Sequence, residues 1–143
     1  MATTETLYNH LAGLVGRGLL DLSDATADRF KVALVDSSYT FSGTHTAWAD
    51  ASASELSAAG YTAGGESLAS VTYTHVSGTL WKWSSADVTW SALQTARAAV
   101  IYVNDTIDSI VNPLVAYILF DDTPGDVALD TIRPTVNGIF GLG

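Results

Sequence analysis

Two hydrophobic periods divide the chain. Near the start, Leu7, Leu11, Leu14, Val15 and Leu22 recur at the spacing of one helical face. The pattern predicts an N-terminal α-helix over about residues 4–20, with Thr4 as N-cap and Glu5 beside the N-terminal dipole. Gly13, Gly16 and Gly18 each cost about 1 kcal/mol against Ala, so packing must hold such a helix. Asp21 to Asp28 reads as a turn. From Phe30 onward the period shortens to two. Phe30 to Val35 is a short apolar run of strand formers, and Val71, Tyr73 and His75 alternate with Thr72 and Thr74. Ser77-Gly78 reads as a hairpin turn. The next strand, Thr79 to Ser84, sets Trp81 and Trp83 on one face and Leu80 and Lys82 on the other.

Further strand-like runs are Asp87 to Trp90, Arg97 to Asn104, Leu114 to Phe120 and Thr135 to Phe140. About six to eight strands punctuated by Gly, Ser, Asp or Pro predict a mainly β fold. The expected architecture is an antiparallel β-sandwich or barrel with an N-terminal α-helix. Ser37 to Gly65 has no sustained period and is too long for an ordinary connection. It is expected to carry a contact surface or partial strands. Asp121 to Asp126 reads as a turn with Pro124-Gly125 at its tip. No internal repeat or disordered linker interrupts the chain. One domain, 1–143, is therefore expected, with the helix at about 4–20 and a β-rich body at about 30–143.

Composition narrows the chemistry. The chain has 143 residues and no cysteine, which removes disulfides, thiol nucleophiles, iron–sulfur clusters and cysteine zinc sites. Six basic residues against fifteen acidic give a net charge of −9. That balance argues against nucleic acid and against an anionic membrane surface. Charged residues make up only 15%, and mean hydropathy is +0.24. Seventeen Thr and fourteen Ser supply uncharged polarity in their place, which fits a surface covered by neighbours in an assembly and equally an ordinary acidic monomer. The apolar stretch Ile110 to Phe120 is broken by Asn112 and Pro113 and falls short of the ~20 residues a membrane span needs. The opening MATTETLYNH has no basic region, so no secretory signal is expected.

Candidate chemistry is sparse. His10, His45 and His75 lack metal-ligand spacing, and no GxSxG elbow is present. Gly13-Leu-Val-Gly-Arg-Gly has no strand before it and no Lys-Ser/Thr after it, and Gly60-Tyr-Thr-Ala-Gly-Gly is no phosphate loop either. Asp121, Asp122 and Asp126, or Asn104, Asp105 and Asp108, could supply oxygens to calcium, but neither set follows EF-hand order. No catalytic, cofactor or metal site is expected. Tyr73, Trp81, Trp83 and Trp90 form the most conspicuous aromatic group. Its two readings are rings that fill a core or subunit interface, and a sugar-stacking platform.

The order of motifs adds a resemblance. Lys31-Val-Ala-Leu-Val, Ser38-Tyr-Thr, Thr44-His-Thr and Gly60-Tyr-Thr-Ala-Gly-Gly come first. Asp87-Val-Thr-Trp, Ala98-Ala-Val-Ile-Tyr and Pro113-Leu-Val-Ala-Tyr-Ile-Leu-Phe-Asp follow. In this order the chain resembles a family of small tailed-bacteriophage virion structural proteins, over most of its length to about Asp122. The resemblance implies a virion component without enzymatic activity, present in many copies.

The leading expectation is a capsid decoration, or cement, protein that binds the outer major-capsid lattice and stabilises the head. A tail, neck or fibre-associated subunit is the alternative, and a carbohydrate-binding module using the Trp81/Trp83 face is the third. Expected partners are the major capsid protein and copies of the chain itself, with a host-surface glycan under the third reading. Neither nucleic acid nor membrane is expected. The interface candidates are Gly60, Tyr61, Gly64 and Gly65 in the glycine-rich loop, and Ile139, Phe140 and Leu142 at the end. The stripe Leu7, Leu11, Leu14 and Val15 is assigned to the core.

Overall fold

The computed structural model describes residues 3–78, 80–120, 126–132 and 135–139. In chain order its elements are β1 (Thr3–Leu7), α1 (Leu11–Gly16), β2 (Phe30–Val35), β3 (Glu66–Ser67), β4 (Thr72–Ser77) and β5 (Leu80–Ser84). These are followed by β6 (Val88–Ala96), β7 (Ala98–Val103), β8 (Thr106–Ile107), β9 (Ile110–Val111), β10 (Leu114–Phe120), β11 (Val127–Ile132) and β12 (Thr135–Ile139). Two 3-10 turns, Trp48–Asp50 and Ser52–Ser54, lie between β2 and β3. The fold is mainly β, antiparallel and sandwich-like, with one short helix near the N-terminus.

The central sheet runs β1-β10-β7-β2-β3. Its middle strands are near-continuous apolar runs because both faces are covered. Val32, Leu34, Ala99, Ile101, Val103, Ile118 and Phe120 point to one side, where Leu11, Leu14, Trp83, Val88, Trp90 and Leu129 meet them. The smaller sheets β12-β5-β4 and β11-β6 supply that layer. Ala33, Val35, Ala98, Val100, Tyr102 and Tyr117 point to the other side, onto Tyr8, Tyr39, Trp48 and Ala51. There the long β2–β3 connection lies flat on the sheet. Trp48 stacks on Tyr102 at 5.0 Å and Phe41 on Tyr117 at 4.8 Å. The segment expected to hold partial strands is thus a cover built from 3-10 turns, touching the strands through the single bridges Val35↔Glu55 and Ala47↔Pro113.

The N-terminal helix is shorter than its periodicity predicts. Thr3–Leu7 is a strand, paired with β10 from Thr3↔Phe120 to Leu7↔Ala116, and the helix begins only at Leu11. Thr4 is a strand residue, not an N-cap. Closely spaced Thr residues favour extended backbone, and pairing with β10 satisfies hydrogen bonds that a helix weakened by its glycines would otherwise have to supply. The helix stops at Gly16, and Gly18 turns left-handed at φ 73°. Leu11 and Leu14 still lie in the core, as their spacing implied, with Leu7 and Val15 packed against it.

Candidate interaction surface

Strands β4 and β5 form a hairpin in register from Thr72↔Ser84 to His75↔Trp81, with a shift before Ser77↔Leu80. Opposed residues of antiparallel strands share a face, so Tyr73, His75, Trp81 and Trp83 lie together. The sequence placed Trp81 and Trp83 on one face, and they do share it, but their environments differ. Trp83 is completely buried, edge-on to Phe30 at 5.5 Å, and its indole N–H donates to the Leu22 carbonyl at 3.0 Å. Trp81, nearer the turn, is half-buried; it stacks on Tyr73 at 5.0 Å and meets the His75 ring at 5.4 Å. His75 Nε2–H donates to the Gly78 carbonyl at 2.8 Å, which closes the turn. Trp90 lies apart, buried under Tyr61. One ring of the hairpin is therefore an anchor, and the others form a small open platform.

The hairpin is unusual in two further respects. Between Glu66 and Asp87 the chain carries no carboxylate, the longest such interval in a protein of net charge −9. Strand β4 is also the last strand of its sheet, so among the described residues one row of its backbone N–H and C=O groups has no strand beside it. Apart from half-buried Tyr73, every β4 residue is exposed. Val76 and Leu80 add large apolar side chains at 56% and 43% exposure. Aromatic enrichment with acid depletion is the composition of an interface core. That acid-free interval is the sequence signal for this surface; the aromatic spacing alone did not separate anchor from platform.

The glycine-rich loop is held from inside. Glu55 accepts hydrogen bonds from the Tyr61 hydroxyl at 2.8 Å and from Gly64 N–H at 2.7 Å, while Tyr61 accepts from Leu34 N–H at 3.0 Å. Tyr102 donates to the Gly64 carbonyl at 2.6 Å, and burial pushes its phenol up to about 12. Gly65, at φ 82°, lies so close to β2 that a Cβ would sit 2.0 Å from the Val32 carbonyl oxygen. Gly60 remains exposed beside Ala92. Gly65 and Tyr61 thus pin the loop to the sheet, and of this group Gly60 stands furthest into solvent. Ile139 is in β12, opposite Trp81 in the register of that sheet. Phe140 and Leu142 lie outside the described residues.

Other candidate groups serve the fold. Tyr8 and Tyr39 share a hydrogen bond at 3.0 Å, and the Tyr39 hydroxyl meets His45 Nδ1 at 2.9 Å. Burial drives the Tyr8 phenol far above its usual range, so it keeps its proton. His10 Nε2–H donates to the Leu114 carbonyl at 2.8 Å. Asp105 pairs with Arg29 and Asp108 with Arg17, so the Asn104, Asp105 and Asp108 set does not converge. Asp121 and Asp122 lie outside the described residues. Among the described residues no group of three or more His, Asp or Glu is placed to hold a metal ion. No family model, curated protein or solved structure matches the chain.

Proposed function

We propose that the chain is a non-enzymatic structural subunit of a bacteriophage particle, deployed as a decoration protein on the outer capsid lattice. The observation that carries this reading is the acid-free, aromatic hairpin at the edge of an otherwise anionic fold. The motif order that resembles virion structural proteins supports it. The net charge of −9 keeps free copies soluble and off nucleic acid. The hairpin, whose one charged side chain is Lys82, and the exposed Gly60 corner offer contact area for neighbouring subunits. Each contact can be modest, because many copies on one shell act together.

Quantifying the protein in purified particles against the major capsid protein tests this reading. A ratio near one copy per capsomer is the expected result, together with heads that lose heat and low-salt resistance when the gene is deleted. A far smaller count would place the protein in the tail or neck and overturn the decoration reading. Absence from particles would overturn the virion reading altogether. Glycan binding lost in Trp81→Ala would then favour the carbohydrate module, on the Tyr73–Trp81 stack alone, because Trp83 is sealed in the core.

A further inference from the structure

We propose that β4 is the strand through which two copies of this chain pair, antiparallel, about a two-fold axis that passes through Thr74. The pairing joins two three-stranded sheets edge to edge and goes beyond the virion reading, since it is a property of the free protein.

Three observations converge on a second copy as the occupant. First, among the described residues β4 offers an open row of backbone donors and acceptors, regular over Thr72–His75 ahead of the register shift before Ser77, with no proline and no Asp, Glu, Lys or Arg along the strand. Natural edge strands usually carry such residues to prevent pairing. Second, copies that each carry −9 repel one another, and the interval between Glu66 and Asp87 lets them meet without opposing carboxylates. Third, the strand is complementary to itself. A two-fold axis normal to the sheet lets only residues of the same face oppose each other. Centred at Thr74, it sets the two Thr74 side chains together and Tyr73 opposite the second copy's His75. Each Tyr73–Trp81–His75 platform then runs on into the next across the axis. Threonine pairs and aromatic pairs are favourable cross-strand partners. Centring at His75 would instead oppose two imidazoles and bring the register shift before Ser77 against Tyr73, breaking the aromatic strip.

The chain has no cysteine, so engineered thiols report the register directly. In the proposed pair the Thr74 Cβ atoms stand about 4.5–5.5 Å apart, close enough for a disulfide after slight adjustment. The two Thr72 positions are separated by about 13 Å, four residues along the strand. Under mild oxidation Thr74→Cys should become a covalent dimer while Thr72→Cys stays monomeric. Sedimentation velocity on the unmodified protein should show a concentration-dependent dimer that strengthens with added salt as repulsion is screened. Thr74→Glu should weaken it at least tenfold, whereas Thr95→Glu, also at an exposed threonine but on β6, should not. A protein monomeric at every concentration, equal cross-linking at both positions, or weakening by salt would overturn the proposal. These assays use purified protein, so their failure leaves the particle count, and the decoration reading, standing.

Discussion

Strands β7 and β4 are both six residues long and both assembled from good strand formers, yet every position of β7 is buried and nearly every position of β4 is open. β7 has β2 and β10 beside it, the smaller sheets on one face and the 3-10 cover on the other. Among the described residues β4 has a neighbour on one side only. Burial in this fold is thus set by how many sides of a strand are covered, and side chains follow. Ala98–Val103 is apolar throughout, whereas Thr alternates through β4, which can face water without charge. The contrast runs inside the hairpin too, since Trp83 belongs to the β7 world and Trp81 to that of β4.

Separating those two tryptophans is the strongest way to break the comparison. Trp83→Ala should cost ~3–5 kcal/mol in chemical denaturation, through the cavity under Phe30 and the lost bond to Leu22. A cost near that of a surface change would mean that the hairpin is not anchored to the body through this ring. Gly65→Ala comes next, at about 2 kcal/mol or more, because both the left-handed backbone and the Val32 carbonyl oppose a Cβ. Its thermal midpoint, set beside that of Gly13→Ala, which meets nothing, separates close approach from helix effects.

The cover layer gives a smaller, pH-dependent effect. Asp50 accepts N–H bonds from Thr46 at 3.0 Å and Ala47 at 3.2 Å, which hold its carboxyl below the ordinary 3.8. A lowered folded value means that the stabilisation is present above the ordinary value and fades as pH falls through the folded one. Asp50→Ala should therefore cost about 1 kcal/mol at neutral pH, with the gap to the parent protein closing in acid. A gap that stays constant down to the acid transition would count against these two hydrogen bonds as the source of the effect. The smallest effect belongs to Trp81→Ala, within about 1 kcal/mol of the parent by the same denaturation assay, because the platform it leaves is already half open. A loss as large as that of Trp83→Ala would show that the two rings do not differ after all.

Much of the β body was legible in the chain. Phe30–Val35 and Leu114–Phe120 occur where their apolar runs predicted them, and the β4–β5 turn forms at Ser77-Gly78. β6 extends to Ala96, well beyond Trp90, because its pairing with β11 continues past the obvious aromatic end. Thr3–Leu7 is a strand where the period predicts a helix, since Leu7, Leu11 and Leu14 mimic one helical face across a strand end and the first turn of a helix. The period of such a short segment carries both solutions, and only β10 chooses between them. The open edge of β4 was not legible either, because nothing local distinguishes an edge strand from one with two neighbours.

The chain by itself determined the alternation that makes two-faced strands, the left-handed glycines at the bends, and the acid-free interval around the aromatics. These are local properties, set by side-chain chemistry and backbone sterics. Only the tertiary structure decided which tryptophan became an anchor, which strand ended a sheet and which glycine met another backbone. Those outcomes depend on what arrives beside a residue from far along the chain, as Leu22 arrives over Trp83 and Val32 over Gly65.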